Sequence, residues 1–311
     1  MRLHTIMLKT LKDLFSVRRT LLFIIALISI PFLGSMIFAS GAELSSMTLA
    51  MQNQMIMGFF IILSFIWIAG IPLVLLAGVT CGDFISKEDQ DGTLLLLVSK
   101  PVRRYEIILG KFLAFMLSTV LLELTALLLS TLIISSAMST DMYIFNNMLS
   151  LAPYIFLYSV LVAFVFGALA TALSSLFKSR IKTIMTMVGV TILIFFGFMV
   201  VRGWLEVGGI YEEYGLNNMD INYHLGNSYL LFTQASGFRM APIFQGIMGQ
   251  FTGTYDAADM GKLYDMDIGA MTPSLEAKSY NTPAASLMIW VCIAVVILLL
   301  GMMKFERREI S

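Results

Sequence analysis

A carboxyl group within a long apolar run is the first feature of this sequence that could carry chemistry. Glu123 lies in the stretch STVLLELTALL. A carboxyl group inside a membrane is costly unless it faces protein or water. Two interpretations stay open at this point: Glu123 lines a pathway for a polar or cationic substrate, or it makes an interhelical hydrogen bond, with the carboxyl group charged or protonated.

Clusters of metal-binding residue types fit known metal sites poorly. Four aspartates lie in residues 256–267, but Gly269 stands where a calcium loop needs a third Asp or Asn, so a solvated acidic face is favoured. Met47, Met51 and Met55 are spaced four apart, which would align thioether ligands for Cu(I) on one helix face. Methionine also fills irregular apolar surfaces. We therefore predict no metal site.

The residues that enzymes use in membranes are not grouped in this sequence. His4 and His224 are the two histidines, and Glu123 has no second acid beside it in its apolar run. The chain has no G-x-x-x-x-G-K-[ST] phosphate loop, so it does not bind ATP in that way. We predict that the chain has no catalytic residues and no cofactor of its own, and that energy comes from a partner or a gradient.

The composition indicates that lipid is part of the solvent. Of the 311 residues, 58% are hydrophobic and 13% are charged, whereas soluble domains carry about 25% charged residues. A soluble core could not hide this much apolar surface. The formal net charge is zero, so no overall electrostatic attraction favours a nucleic-acid partner.

Six segments are long and apolar enough to span a bilayer, which takes about 20 residues. They are residues 21–40, 56–80, 107–136, 153–177, 183–201 and 285–303. The predicted fold is an all-α integral membrane protein, with residues 1–311 forming a single domain of six transmembrane helices.

The lysine and arginine residues predict the orientation of these spans. Sixteen of the 20 lie before the first span, between spans two and three or in the first turns of span three, between spans four and five, or after span six. Basic residues concentrate on the cytoplasmic side of membranes. We therefore expect a multi-pass protein of the cell membrane with both termini in the cytoplasm.

Helical segments outside the spans are predicted at two places. Residues 1–20 alternate apolar and polar residues with helical spacing, which predicts an amphipathic helix lying on the cytoplasmic leaflet. Residues 202–284 hold nine acidic and four basic residues, which fits the outside, and two short amphipathic helices are predicted at 225–234 and 242–251. The sequence does not say whether this segment binds substrate or an accessory protein.

The cytoplasmic loop of residues 81–106 contains a short apolar run between charged clusters. Gly92 is expected to interrupt helical structure, and Leu94 to Leu97 would then supply one helical turn of apolar side chains. Pro101 cannot continue that helix and suits the first turn of the next one. Asp89 or Asp91 can cap this short helix. Either the loop folds back on lipid, or the leucines dock into another protein, since an apolar patch rimmed by charge is typical of an interface.

This loop resembles the signature of type-2 ATP-binding-cassette (ABC) transporter permeases, including those of nitrous-oxide-reductase maturation systems. The resemblance is carried by the acidic stretch 88–91, by Gly-Thr-Leu at 92–94, by the leucine run, by Ser-x-Pro-Val-x-Arg from Ser99, and by Leu-Gly-Lys at 109–111. The closing residues 305–310, FERREI, are similar to the cytoplasmic tail of the family.

The resemblance implies a dimer of six-span subunits bound to two copies of an ABC ATPase subunit, which would hold the ATP and magnesium. The second permease would be another copy of this chain or a related one. The resemblance makes residues 83–99 the expected coupling region, moved when the ATPase closes on ATP. The expected ATPase-coupling residues are Asp83, Glu88, Asp91, Gly92, Thr93, Leu94, Leu95, Leu96, Leu97, Ser99, Pro101 and Arg103.

The sequence thus predicts the permease subunit of an ATP-driven transporter, with export as the direction that the resemblance implies. Glu123 is the expected residue of a substrate pathway. The alternative is a non-transport membrane component that uses the same ATPase coupling to act on a partner protein or in metal-site maturation. The substrate is not predicted.

Overall fold

The computed structural model describes residues 2–41, 44–93, 103–256, 264–265, 270–271 and 275–307. The α-helices of these residues are α1 Arg2–Leu14, α2 Val17–Gly41, α3 Leu49–Leu63, α4 Ile71–Gly82, α5 Ser86–Gln90, α6 Arg104–Ala137, α7 Met142–Leu176, α8 Arg180–Ile192, α9 Phe198–Val207, α10 Ile210–Glu213, α11 Ile221–Ala235, α12 Pro242–Thr252 and α13 Pro283–Glu306. Two-residue strands, Tyr264–Asp265 and Ala270–Met271, pair antiparallel.

Six stretches of the described chain are long and apolar enough to cross a membrane, which confirms the predicted all-α membrane fold. They are Thr20–Gly41, Leu49–Gln90, Arg104–Ala137, Met142–Leu176, Arg180–Val207 and Pro283–Glu306. The second and fourth stretches are longer than the predicted spans, because helix begins at Leu49 and at Met142 rather than at residues 56 and 153.

The second stretch is not one continuous α-helix. A π-helical turn, Ser64–Ile68, follows α3, and the chain then changes direction at Ala69 and Gly70 before α4 begins. Pro72 lies in the first turn of α4, where its missing N–H costs no hydrogen bond. The proline that the sequence places inside a span therefore starts a new helix.

Helix α7 is the centre of the bundle. In its most apolar window 72% of the residues are buried within the chain, compared with 17% for the first span and 22% for the sixth. Close packing of α13 against α7 depends on Gly301, where an added Cβ would lie 2.8 Å from the Cα of Ala172. Small residues at such crossings allow membrane helices to approach closely. The first and sixth spans therefore expose wide apolar faces to their surroundings.

The amphipathic helix α1 packs against the first turns of α6. At Gly110 an added Cβ would lie 3.1 Å from Ile6 Cγ2 and 3.2 Å from the Leu3 carbonyl oxygen, which is tighter than an ordinary contact, so glycine favours this close approach. We call the side of the bundle that carries α1, α5 and the last turn of α13 the basic side. The amphipathic helix α1 is thus packed against the third span.

On the opposite side, α11 is inserted among the spans. The Tyr229 ring is fully buried, with its centroid 4.8 Å from that of Tyr158 and 5.2 Å from that of Phe65. Its hydroxyl donates a 2.8 Å hydrogen bond to the Ile61 carbonyl oxygen, which is close to the π-helical turn and can accept a second donor. Helix α11 therefore joins the second and fourth spans from the far side.

Candidate functional site

The second span ends in a bend, residues 82–90, that we call the elbow. Helix α4 stops at Gly82 and α5 starts at Ser86, and no side chain of the elbow caps the amino-terminus of α5. The cap comes from α7: Ser174 Oγ accepts hydrogen bonds from the backbone nitrogens of Ile85 (3.0 Å) and Ser86 (3.1 Å). The same hydroxyl donates to the Gly82 carbonyl oxygen at 3.1 Å. One serine of α7 thus satisfies backbone groups on both sides of the bend.

A buried lysine of α6 binds the same bend from a second direction. Lys111 Nζ lies 2.6 Å from the Phe84 carbonyl oxygen and 2.6 Å from Glu88 Oε1. Only 7% of Lys111 is exposed. A buried ammonium group is tolerated when its donors are satisfied by a carboxylate and a carbonyl group. Lys111 therefore fixes both the turn and α5 to the third span.

A third contact joins the elbow to the fifth span. Arg180, the first residue of α8, forms a 2.5 Å ion pair with Asp83. The arginine side chain is 37% exposed and the aspartate side chain 17%, so this pair lies at the surface of the basic side. Together, α6, α7 and α8 each hold the elbow through polar side chains.

The predicted coupling residues divide into three groups in the structure. Asp83 and Glu88 lie in the elbow, where the ion pairs with Arg180 and Lys111 direct them toward the spans. Their positions suit an internal linkage better than a direct contact with another protein. The run from Leu94 to Leu97, Ser99 and Pro101 lie outside the described residues.

The remaining coupling residues flank the 94–102 segment. Asp91 and Gly92 end α5, and Gly92 has a φ of +70°, a left-handed conformation that favours glycine and agrees with its predicted role as a break. Thr93 Oγ1 donates to the Glu88 carbonyl oxygen at 3.3 Å. Arg103 precedes α6, and its backbone nitrogen donates to Glu106 Oε2 at 3.1 Å. Both ends of the segment are therefore anchored to regular structure.

A cavity of about 940 Å³ adjoins the elbow, between α1, α2, α4 and α6. One end of the cavity is lined by apolar and aromatic side chains such as Phe23, Leu76 and Trp67. The Trp67 indole donates to the Leu27 carbonyl oxygen at 3.1 Å, which fixes the ring against α2. The other end is lined by charged residues of α1 and the elbow, including Lys9 and Glu88.

Glu123 lies near this cavity but is not one of its lining residues. The side chain is 2% exposed, and neither carboxyl oxygen has a hydrogen-bond partner among the described residues. The alternative of an interhelical hydrogen bond is therefore not realised in the described part of the chain. Its neighbours Thr119 and Leu122 do line the cavity, and Thr119 Oγ1, also buried, has no described hydrogen-bond partner.

A second charged cluster, which we call the outer cluster, lies on the side opposite the elbow. Arg202 forms a 2.8 Å ion pair with Asp220, and their side chains are 3% and 2% exposed. The guanidinium also donates to the carbonyl oxygens of Gln250 and Phe251, at the carboxyl end of α12 where a cation is favoured. Tyr211 donates to the same carboxylate at 3.0 Å. The ion pair therefore joins α9 to the amino-terminal end of α11 and to the carboxyl-terminal end of α12.

Two further buried side chains, His224 and Tyr211, belong to the outer cluster, and His224 extends it toward α13. His224 Nδ1 lies 3.0 Å from Ser286 Oγ, and Nε2 lies 3.2 Å from the Asn218 carbonyl oxygen. Burial lowers the pKa of His224, and the nearby Asp220 carboxylate opposes this shift. In Tyr211, burial raises the phenol pKa, and Asp220 adds to that effect. Both groups are therefore neutral at neutral pH.

The candidate metal ligands are not brought together in the described chain. No group of three His, Cys, Asp or Glu residues in the described part could hold a metal ion. Met51 and Met55 lie in α3, but Met47 precedes the helix, so the three thioethers do not form one helical stripe. Asp259 and Asp267 of the acidic run lie outside the described residues.

The comparisons with known proteins place the chain in a family. The model of the ABC-2 family transporter proteins matches residues 5–310. The chain therefore belongs to this family and is a permease subunit of an ABC transporter. A search of curated proteins found no match. The finer similarity to permeases of nitrous-oxide-reductase maturation stays a prediction.

Sequence reasoning missed the residues that hold the elbow. Ser174 and Arg180 have no distinctive local pattern, and Lys111 was noted within the Leu-Gly-Lys motif without a role. The partners of Lys111 and Ser174 lie 23 to 92 residues away along the chain, as Lys111–Glu88 and Ser174–Gly82 illustrate. A basic residue inside the first turns of a predicted span was the one available signal, since such a charge needs a partner.

Proposed function

We propose that this chain is the membrane-spanning subunit of an ATP-driven exporter, in which a separate ATPase subunit binds and moves residues 83–99. The observation that carries this proposal is the attachment of the elbow to α6, α7 and α8 through Lys111, Ser174 and Arg180. The elbow leads directly into the 91–103 loop, so force applied to that loop acts on three spans.

The geometry supports a rigid link rather than a loose tether. The loop is bounded by α5 on one side and by α6 on the other, and Lys111 of α6 binds α5 directly through Glu88. Arg104, at the start of α6, donates to the carbonyl oxygens of Phe305 and Glu306 at the end of α13. Displacement of the loop would therefore be carried into the sixth span as well.

The remaining features of the proposed complex follow from the charge pattern and the family. The basic side would face the cytoplasm, with both termini there, in the cell membrane. Two copies of this chain, or one copy and a related permease, would bind two ATPase subunits that hold ATP and magnesium. The charged end of the 940 Å³ cavity lies on the basic side, and entry from that side supports outward transport.

The proposal is tested by co-expressing the full chain with a candidate ABC ATPase and purifying the complex into lipid nanodiscs. Replacing both Leu95 and Leu96 with Asp should release the ATPase or abolish its stimulation. Ile181→Asp, at an exposed position of the basic side in α8, is the matched control and should leave the complex intact. Normal binding and stimulation in the double variant would refute the coupling assignment.

The same preparation distinguishes transport from the alternative function. Reconstituted complex is given ATP and assayed for movement of a panel of lipids, drugs, peptides and metal ions across vesicle membranes. Stimulated ATP hydrolysis with movement of a panel member supports the exporter. Hydrolysis that depends instead on a partner protein, with no vectorial movement, would favour the non-transport component.

A further inference from the structure

We propose that the 940 Å³ cavity between α1, α2, α4 and α6 is a binding site for a zwitterionic, lipid-like amphiphile. The inference rests on the proposed permease function and deepens it, because it names the substrate class. The volume lies near the upper end of the range of about 300–1,000 Å³ that is usual for ligand pockets.

The walls of the cavity select for a hydrocarbon chain. Along α2 and α4 the lining residues are almost all apolar, and they include Leu22, Phe23, Leu75, Leu76 and Val79. Leu22 and Val79 are 59% and 44% exposed, so apolar surface remains uncovered within the described chain. A hydrocarbon chain placed there would bury this surface without leaving backbone polar groups unpaired, because both walls are helical.

The polar end of the cavity selects for a group that carries both signs of charge. Its charged lining residues are four basic and four acidic side chains: Lys9, Lys87, Lys111, Arg180, Asp13, Asp83, Glu88 and Asp91. Lys111 pairs with Glu88, and Arg180 pairs with Asp83. The balance of charges disfavours a headgroup with a large net charge of either sign and suits an ammonium group joined to a phosphate.

A polar group in the apolar wall is a second, independent sign of a ligand. Thr119 is 1% exposed and lines the cavity, and its Oγ1 has no hydrogen-bond partner among the described residues. A buried hydroxyl without a partner is unfavourable, so such groups usually meet a ligand or an ordered water molecule. An ester carbonyl group of a bound amphiphile is an acceptor of the kind that this hydroxyl lacks.

Helix α1 forms the floor of the charged end. Ile6, Lys9 and Asp13 line the cavity, and the same helix is held on α6 by the close contact at Gly110. An amphiphile in the cavity would therefore contact α1 and the elbow at once. Ligand and coupling region would share Lys111, which lines the cavity and binds Glu88.

The site is tested by native mass spectrometry of the full chain, delipidated in detergent and titrated with phosphatidylethanolamine or with phosphatidylglycerol of the same acyl chains. Leu122→Trp fills the cavity, whereas Leu121→Trp changes the preceding residue of α6, which is 47% exposed and does not line the cavity. We expect one tightly held phosphatidylethanolamine per chain, at least tenfold weaker retention in Leu122→Trp, and less than twofold change in Leu121→Trp. Phosphatidylglycerol should bind at least fivefold more weakly.

A second matched pair of variants, on a different helix, controls for misfolding of the first pair. Ala26→Trp on α2 also fills the cavity, and Ile25→Trp is its outward-facing control. Equal lipid retention by both members of each pair would identify the lipid as annular and overturn the proposal. Equal or stronger binding of phosphatidylglycerol would overturn the headgroup assignment.

Two further outcomes separate this site from the permease function. Disulfide formation between two copies carrying Val79→Cys, with lipid excluded, would assign the cavity to a second copy and overturn the site. If lipid binding fails while the wild-type chain still co-purifies with and stimulates its ATPase, the substrate class is wrong and the permease proposal stands. If neither lipid nor ATPase binds, both proposals fail.

Discussion

The elbow and the outer cluster use the same kinds of side chain under different degrees of burial. In the outer cluster, the Arg202 and Asp220 side chains are 3% and 2% exposed, and four further hydrogen bonds hold the guanidinium and the carboxylate. In the two ion pairs that hold the elbow, the side chains of Lys111 and Glu88 are 9% and 28% exposed, and those of Arg180 and Asp83 are 37% and 17% exposed. Charges in contact with water rearrange at a smaller free-energy cost than buried ones. The outer cluster therefore suits a fixed structure, whereas the more exposed pairs of the elbow suit a link that passes a displacement to the spans.

The largest expected effect comes from breaking the outer cluster. Arg202→Met leaves the Asp220 carboxylate buried without its ion-pair partner, which should lower the free energy of unfolding by about 3–5 kcal/mol. Unfolding of the purified chain in mixed micelles, followed by tryptophan fluorescence, measures this change. Arg239→Met, at an exposed arginine of the same segment, should change stability by less than about 0.5 kcal/mol. Equal stabilities of the two variants would contradict the assignment of a rigid cap.

Compared with Arg202→Met, a substitution of Lys111 should lower stability less and impair coupling to the ATPase more. Lys111→Met removes charge-assisted hydrogen bonds to Phe84 and Glu88 and should cost about 1.5–3 kcal/mol. Because α5 then loses its link to the third span, ATP hydrolysis in the complex should no longer respond to transported ligand. ATPase assays in nanodiscs with and without ligand measure the loss.

Two controls sharpen the Lys111 prediction. Lys111→Arg keeps the charge and should restore part of the ligand response, whereas Lys182→Met removes an exposed lysine of the same side and should leave it unchanged. A complex with Lys111→Met that responds like the wild type would make the elbow a purely structural bend.

Ser174→Ala should have a still smaller effect. It removes the acceptor for the backbone nitrogens of Ile85 and Ser86, and the loss of a helix cap costs about 1 kcal/mol. Hydrogen exchange at residues 85–90 should speed up, because the first turn of α5 opens more often. Ser175→Ala is the control, since Ser175 Oγ donates to the Ala172 carbonyl oxygen within α7. Unchanged exchange in Ser174→Ala would show that the elbow does not depend on this cap.

The smallest expected effect is a pH dependence confined to the outer cluster. Burial lowers the pKa of His224 below its unfolded value of about 6.5, so its contribution to stability is present above that pH and is lost as the pH falls through the folded pKa. Protonation would place a donor on each ring nitrogen, so Ser286 would have to reorient. Thermal unfolding from pH 8 to pH 5 should show a decline that is absent in His224→Gln. The same decline in the variant would assign it to another group.

The predictable part of the fold came from local signals. The six apolar stretches and the amphipathic start of the chain can be read within windows of about 20 residues, because bilayer thickness fixes the length of a span. The form of the break before α4 could not be read from the sequence, since Pro72 is compatible both with a kinked helix and with a first turn. Of the candidate site residues, the sequence indicated Glu123 by its charge within a span, and Asp83 and Glu88 through the resemblance to the permease family.

The partners of those charges could not be predicted in the same way. Lys111 binds Glu88, Arg180 binds Asp83, and Ser174 caps α5, and each pairing joins residues on different helices. Helix rotation and packing decide which residues meet, and no local pattern records them. Glu123 illustrates the limit: its charge marked it for a pathway, yet the cavity is lined by its neighbours Thr119 and Leu122.

The sequence by itself determined the solvent of this protein, its number of spans and its family, because hydropathy, charge distribution and a short motif are local properties. The tertiary structure alone decided that α6, α7 and α8 hold one bend, and that a cavity opens beside it. Those features depend on helix approach at positions such as Gly110 and Gly301, where the missing side chain sets the distance between backbones. Packing at such crossings involves residues of two helices that are distant in sequence, so it is determined only by the tertiary structure.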